Sequence, residues 1–404
     1  MKVSIIGQGY VGQSLSMAAA SVGHNVVGFD LDTNLINRLG SGLSHVPGVE
    51  SKLLLNLIET TRYQPTSNAE LIKGSQIIII AVPTPVDDER RPDLAALHSA
   101  CELIGKTVSE PTLVISESTS YPGTLRNLIK PIIENLSKTT FLYAVAPERV
   151  DPGNRQWNIL NTPRVVAGLT HEATEMAIKF YKSFCNEIYR ASNPEVAEAA
   201  KLLENTFRQV NIALVNEFSS IMNRIGISSF EVVNAAATKP FGFMKFFPSI
   251  GVGGHCIPVD PEYFSYFAES LGTKSRLTNL VNELNINRPS EVAFRIMDLL
   301  GSNFKDSQIQ VAGIAYKGDV SDIRESPSLE LIHKLRKLGA SVKWHDPIVQ
   351  EWGNEISSSL DSKIDLGLIV TPHSKIDFSI WKEANVKVLD LSANSLNYGW
   401  PKFL

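Results

Sequence analysis

Lys2-Val3-Ser4-Ile5-Ile6-Gly7-Gln8-Gly9-Tyr10-Val11-Gly12 begins as an apolar run that reads as a short buried strand and passes into Gly-x-Gly-x-x-Gly. The alanine-rich stretch behind it has the character of a helix. Strand, glycine loop and helix in that order set backbone N–H groups where a pyrophosphate rests, with Gly7, Gly9 and Gly12 permitting close approach and Tyr10 and Val11 starting the helix. A second strand, Asn25 to Phe29, ends at Asp30. A carboxylate at that point suits two ribose hydroxyls and repels a 2′-phosphate, so the expected cofactor is NAD rather than NADP. The glycine pattern alone is weak. With both strands and Asp30 it predicts an α/β chain that opens with a Rossmann-type, doubly wound domain.

Further strands are expected at Gln76 to Val82, Thr112 to Ser116, Phe141 to Val145 and Arg164 to Gly168. Ligands of such sheets lie beyond the carboxyl ends of the strands. Found there are Pro83-Thr84-Pro85, then Glu117-Ser118-Thr119 with Pro122-Gly123-Thr124, then Pro147-Glu148-Arg149. Each would pass as a plain turn, since proline and glycine punctuate loops. Three turns carrying hydroxyls or carboxylates at one sheet edge describe a cleft. Asp87-Asp88-Glu89-Arg90-Arg91 reads as a solvated loop.

The 404 residues suffice for two or three domains, and 43% hydrophobic against 20% charged residues is enough for ordinary cores. A net charge of −4 gives nucleic acid no electrostatic footing. The three cysteines, Cys101, Cys185 and Cys256, form no CxxC pair and no zinc-spaced cluster, so neither a disulfide framework nor a metal is expected. No apolar run is long enough to span a bilayer. The setting this implies is reducing and cytoplasmic, which keeps Cys256 a thiol.

Asn193-Pro194-Glu195 is a helix start, and the pattern stays helical to about Arg224. Such a length links two domains, and its apolar side would support a homodimer. Lys201, Asn205 and Arg208 share one face of it, a row of donors among apolar neighbours. Asn216 and Glu217 receive no role. Beyond the helix, Gly251-Val-Gly-Gly-His-Cys-Ile-Pro-Val-Asp-Pro261 is a glycine-rich loop with one thiol. Cys256 beside His255 and Asp260 is a candidate nucleophile; the blander reading is a tight turn holding a small hydrophobe.

Together, Gly7 to Gly12, Asp30, Pro83 to Pro85, Thr119, Glu148, Lys201, Asn205, Cys256 and Asp260 resemble the nucleotide-sugar 6-dehydrogenases, the UDP-glucose and GDP-mannose dehydrogenase family. Gly-Gly-x-Cys-x-Pro-x-Asp combined with Glu198-Ala-Ala-Lys-Leu-Leu-Glu-Asn205 is highly specific, and the likeness covers nearly the whole chain. The resemblance implies oxidation of a sugar C6 alcohol to a carboxylate by two hydride transfers to NAD+. Cys256 then captures the aldehyde and carries the thioester, Lys201 and Asn205 stabilise the oxyanion, Asp260 and Thr119 hold the proton-transfer water, and Glu148 assists hydrolysis. Lys201 is alternatively a base. Pro83, Thr84, Thr119 and Arg324 join the glycine loop around NAD. Glu148, Arg149, Lys201, Asn205, Arg208, Gly253 and Lys317 contact the UDP-sugar.

After Pro289 a helix leads to a second α/β pattern, with strands Gln308 to Ala315, Ser341 to His345, Leu366 to Val370 and Val386 to Leu391 and a helix after Ser326-Pro327. It lacks the glycine fingerprint and looks like a nucleotide-facing, Rossmann-like domain without its own dinucleotide, and the resemblance implies that it binds the UDP-sugar. The expected division is 1–192, 193–300 and 301–404, the central part helical. In the resembling loop Ala315-Tyr316-Lys317-Gly318-Asp319, Lys317 faces the diphosphate, while Arg324 faces NAD. His255, Val259 and Lys239-Pro240-Phe241-Gly242-Phe243-Met244 look like the branch acting on UDP-N-acetylhexosamines, UDP-N-acetylglucosamine in particular. Lys245 and Ser249-Ile250 depart from it. The alternatives are UDP-glucose, UDP-N-acetylmannosamine or UDP-N-acetylgalactosamine as substrate, a single-hydride dehydrogenase of the 6-phosphogluconate type, which has no need of Cys256, and a catalytically silent nucleotide-sugar sensor.

Overall fold

The computed structural model describes residues 1–46, 48–151, 154, 156–394, 396 and 398–404. These divide into two compact units, Met1–Glu204 with Tyr266–Thr273 and Asn205–Ser265 with Lys274–Leu404. The helix Pro194–Asn223 runs from the first into the second.

The first unit is built on β1 (Lys2–Ile6), β2 (Asn25–Phe29), β3 (Tyr63–Thr66), β4 (Ile77–Ile80), β5 (Thr112–Ser116), β6 (Phe141–Val145), β7 (Arg164–Gly168) and β8 (Ile188–Arg190). They form one sheet in the order β3-β2-β1-β4-β5-β6-β7-β8. Every neighbouring pair is parallel except β6 and β7. The first six follow the dinucleotide-binding order, which reverses between β1 and β4 and opens a crevice there. Strands of a sheet covered on both faces read as unbroken apolar runs, and Ile77, Ile78, Ile79 and Ile80 are all fully buried. The sequence reading missed β3 and β8. Pro65 inside β3 argues against a strand, yet β3 is an edge strand, where a missing N–H is tolerated.

The second unit holds β9 (Gln308–Ala312), β10 (Ser341–His345), the short antiparallel pair β11 (Glu351–Trp352) and β12 (Glu355–Ile356), β13 (Leu366–Ile369) and β14 (Val388–Asp390). Its main sheet, β10-β9-β13-β14, is parallel throughout. The expected strand to Ala315 stops at Ala312. Gly313 turns at φ 84°, and the Ile314 and Ala315 N–H groups donate to Asp346 rather than to a neighbouring strand. A second correction concerns Pro289. The helix does not begin there but spans Arg276–Leu300, with Pro289 inside it. Proline lacks the N–H that would donate to the Asn285 carbonyl; the Asn285 side chain separately donates to the Gln209 carbonyl at 3.3 Å.

Candidate active site

In the first unit, β1 delivers the chain into a turn that only glycine satisfies. Gly7 has φ 91°, and a Cβ there would lie 2.5 Å from the Ala81 carbonyl oxygen; one on Gly12 would lie 1.8 Å from the Gly7 oxygen. Around Gly9 nothing lies within 4 Å of the same position. Gly9 is the N-cap of the helix Tyr10–Ser21, whose first turn receives no side-chain cap. Gln8 turns inward: its Nε2 donates to the Ile5 carbonyl at 3.0 Å and its Oε1 accepts from Tyr63 at 2.8 Å. The loop is therefore locked from below and open above a helix N-terminus, which suits a pyrophosphate. Asp30, half-buried after β2, accepts from the Gln8 N–H at 2.6 Å and the Asp32 N–H at 3.0 Å, which fixes its carboxylate at the edge of the cradle.

Past β4, Pro83 is exposed and Thr84 buried; past β5, Ser118 donates to the Val82 carbonyl at 2.7 Å and ties the two loops together beside half-buried Thr119. Past β6, Glu148 accepts from the Arg149 N–H at 2.7 Å and from Arg164 at 3.3 Å. Burial opposes its charge, yet Arg164, the Val150 N–H and Lys201 together hold its carboxyl below the usual range. Lys201 is buried. Arg149 is engaged by Glu204 at 2.7 Å and by the Pro163 carbonyl at 2.8 Å. Asp87, Asp88 and Glu89 are exposed, as a solvated loop would be.

In the second unit, one helical turn beyond Lys201, the Asn205 amide donates to Asp260, which is 3% exposed and opens the helix Asp260–Ser270. The Asp260 N–H donates to the Cys256 carbonyl at 2.8 Å, so the thiol sits on the turn leading into that helix. Cys256 is exposed, whereas Cys101 and Cys185 are buried. Burial raises the Cys101 thiol to about 12, which keeps it inert. The glycines ahead of Cys256 are required by packing: a Cβ on Gly253 would come within 2.9 Å of Pro327 and Tyr316, and one on Gly254, at φ 87°, within 2.9 Å of the Tyr316 ring. The Gly254 N–H donates to the Arg324 carbonyl at 3.1 Å.

Burial, and then Arg324, lower the pKa of His255, with Asp322 and Glu325 acting against them. The cation near the thiol is Arg324, whose charged form is held first by its hydrogen bonds to Asp322, against burial, and further by the fields of Cys256 and Tyr316. Lys317 is half-buried in the adjoining loop. Arg208 is exposed, its guanidinium 6.0 Å from the Phe246 ring centroid.

Several contributors were missed. Glu198 accepts from the Gly123 and Leu125 N–H groups at 2.6 and 2.9 Å, and burial raises its carboxyl to about 7; its place one turn before Lys201 was the available signal. Asn216 accepts from the Ser249 N–H at 2.7 Å, and Arg288 donates to the Ser249 carbonyl at 3.2 Å, clamping one residue ahead of the glycine loop from both sides. Among the described residues no cluster of histidine, cysteine or carboxylates suits a metal, and no helix is long and apolar enough to cross a membrane.

Sheet order, cradle and Asp30 define a dinucleotide-binding protein. Its NAD-binding domain, residues 1–193, its central domain, 195–287, and its UDP-binding domain, 310–393, are those of the UDP-glucose/GDP-mannose dehydrogenase family, to which the chain belongs. It is an NAD-dependent nucleotide-sugar dehydrogenase. It is 33% identical over 392 residues to the UDP-N-acetyl-D-mannosamine dehydrogenase of Pyrococcus horikoshii, covering 95% of this chain and 92% of that one. To the UDP-N-acetyl-D-glucosamine 6-dehydrogenase of Pseudomonas aeruginosa it is 32% identical over 357 residues, covering 86% and 83%. The solved structure of a UDP-D-ManNAc dehydrogenase from Pyrococcus horikoshii superposes with a TM-score of 0.88 at 31% identity, covering 100% of this chain and 97% of that one.

Proposed function

We propose that the chain oxidises the C6 alcohol of a UDP-N-acetylhexosamine to the uronate in four electrons, with Cys256 as the covalent nucleophile. The observation that carries this reading is an exposed thiol in the field of Arg324, on a turn that enters the helix opened by Asp260, with Asn205 on the Asp260 carboxylate. Bound NAD+ would supply the hydride acceptor for C6, and the hydroxyl proton passes to the water that Thr119 and Asp260 hold. The Cys256 thiolate adds to the aldehyde, and Lys201 and Asn205 stabilise the oxyanion. A second hydride leaves for a second NAD+ and a thioester remains. Water adds to it, Glu148 takes the proton, and the C–S bond breaks to return the thiolate and release the carboxylate. Thr119 and Asp260 hold the water that relays protons. In this reading Gly7, Gly9, Tyr10, Val11, Gly12, Asp30, Pro83, Thr84 and Arg324 serve NAD, and Arg149, Arg208, Gly253 and Lys317 serve the UDP-sugar. The chain works as three parts, 1–192, 193–300 and 301–404, and as a homodimer in the cytoplasm. The exposed Leu214, Ile221, Leu277 and Leu280 on two helices of the second unit support self-association.

UDP-N-acetylglucosamine is the substrate that the segment from Lys239 to Met244 favours. UDP-N-acetylmannosamine is the second reading, favoured by the 33% identical relative that acts on it. A panel of UDP-glucose, the three UDP-N-acetylhexosamines and GDP-mannose, followed by NADH formation, decides between them. An acetamido sugar should give the highest kcat/KM and two NADH per sugar. A preference for UDP-glucose overturns the proposal.

A further inference from the structure

One buried ionisable group of the first unit, Glu117 with Arg164 and Tyr181, stands behind Glu148 and has no role above. Strands β7 and β8 run opposite to the other six, so the first residue of β7, Arg164, lies at the edge where those six strands end. The register pairs Val145 with Ala167, and carried three residues further it sets Glu148 opposite Arg164. The guanidinium forks accordingly: Nη2 donates to Glu148 at 3.3 Å and Nη1 to Glu117 at 2.8 Å. Glu117 directly follows β5 and is 1% exposed, and Tyr181 donates to the same Glu117 oxygen at 2.6 Å. The Tyr181 ring lies 4.8 Å from the guanidinium carbon.

A buried cation shared by two carboxylates has one charge to divide between them. The charged and titratable groups facing Glu148 are Arg164 from β7, Lys201 from the helix Pro194–Asn223, Glu117 from the end of β5 and Tyr181. Those facing Glu117 are Arg164, Glu148 and Tyr181 from the helix His171–Tyr181. Burial raises the Glu117 carboxyl to about 7, with Arg164 working against the rise. With Glu117 protonated, Arg164 turns its whole charge to Glu148 and makes it a weaker base. Once Glu117 ionises, that charge is split and Glu148 becomes a stronger one.

We infer that Arg164, held from behind by Glu117 and Tyr181, is a positioning residue for Glu148, and that the proton on Glu117 sets the basicity of Glu148 in thioester hydrolysis. This rests on the hydrolytic role proposed for Glu148. It assigns Arg164, Glu117 and Tyr181 no contact with substrate.

The experiment, on the full-length enzyme, compares the NADH burst, which reports the hydride steps, with the steady-state rate, which includes hydrolysis, across pH 3.5–9, a window that reaches below the ordinary carboxylate range where Glu148 titrates. Glu117→Gln is isosteric and permanently neutral. It should keep the burst within about threefold, slow the steady state by about tenfold, and move the acid limb of its pH profile to lower pH. Arg164→Met removes the cation and should move that limb to higher pH. Should Arg164→Met fail to fold, Arg164→Lys, which keeps the charge but loses the fork, should slow hydrolysis with a smaller displacement of the limb. Opposite displacements are not the signature of general loosening. Glu148→Gln serves as the control. If it slows hydrolysis while both other variants keep the wild-type limb, the inference on Arg164 and Glu117 is overturned alone. If Glu148→Gln turns over like the wild type, the hydrolytic role falls and the inference with it.

Discussion

Asp346 and His373 form a wholly buried pair, Oδ2 to Nε2 at 2.9 Å, at the end of β10. On its other side the imidazole accepts from the Asp319 N–H at 2.9 Å, so this ring connects the strand end to the loop that carries Lys317. Asp346 also accepts from the N–H groups of Ile314, Ile348 and Val349, each at 2.9 Å. In the first unit Asp30 occupies the same place after β2 and accepts from Gln8 just past its own glycine turn. The difference is in what remains to bind a ligand: Asp30 is half-exposed, whereas Asp346 is 1% exposed and engaged by His373 and the backbone. Of the two carboxylates, only that of Asp30 is left with exposed surface at its strand end.

His373→Ala should therefore loosen the Lys317 loop. The lost bond to the N–H of exposed Asp319, worth roughly 0.5–1.5 kcal/mol, should raise the KM for UDP-sugar about two- to tenfold and leave the KM for NAD+ near wild type. Burial works against the Asp346 charge, but the His373 hydrogen bond and the backbone N–H groups hold its pKa at about 2. A depressed carboxylate contributes stability that is fully present above its ordinary range and is lost as pH falls through the folded value. Acid unfolding of wild type should thus show a component between about pH 4 and pH 2 that Asp346→Asn lacks; identical acid profiles would remove this pair from the account.

Asp30 should set the cofactor preference. NADP+ should support turnover poorly, because its 2′-phosphate meets a carboxylate fixed by the Gln8 and Asp32 N–H groups. Asp30→Ser should lower kcat/KM for NAD+ and narrow the gap between the cofactors by at least about tenfold, the effect of losing a charged hydrogen bond of roughly 1.5–3 kcal/mol. Equal kcat/KM for NAD+ and NADP+ in the wild type would contradict this.

Asn216 and Arg288 act through Ser249. Asn216→Ala leaves the buried Ser249 N–H without its acceptor, which should cost about 1–3 kcal/mol and lower Tm by several degrees. Arg288→Met removes the bond to the Ser249 carbonyl and a second to Ser220 at 2.7 Å, and should cost at least as much. Both variants should lose kcat more than substrate affinity, since the clamped residue stands ahead of the glycines that present Cys256. Unchanged melting of both would show the clamp to be idle.

What was legible in the sequence and what was not follows from how local each signal is. β1, the glycine turn, β2 and Asp30 are neighbours in the chain, and turn geometry dictates the glycines. The helix Pro194–Asn223 was legible for the same reason, with a helix-starting proline and no breaker before Gly226. The Arg164 cluster was not, because Arg164 reads only as the start of a strand and its partners come from the ends of β5 and β6 and from another helix. The Ser249 clamp hid likewise: Asn216 and Arg288 lie on two different helices and meet through one backbone group. Pro289 misled because proline usually marks a helix start, and here it lies within a buried helix face, polar at Asn282, Asn285 and Arg288 and apolar at Val292, Ala293 and Ile296, whose packing carries the helix through.

Cys256→Ser tests the reading on which the chemistry depends. The serine hydroxyl fits the same exposed turn, and the glycines around it keep their packing against Tyr316 and Pro327, so both ligands should bind with affinities close to wild type. A hydroxyl is not ionised by a nearby arginine at neutral pH, and it leaves an ester rather than a labile thioester if it reacts at all. Net formation of the uronate should therefore fall by at least about a thousandfold, while Lys201, Asn205 and Asp260 still assist the first hydride transfer and a trace of NADH or a bound aldehyde appears. Mass spectrometry of wild-type protein quenched during turnover should find a sugar adduct on Cys256, and the variant should lack that thioester. Uronate production by Cys256→Ser at near wild-type rate, with two NADH per sugar, would return Cys256 to the part of a small residue in a tight turn and require a mechanism without a thiol.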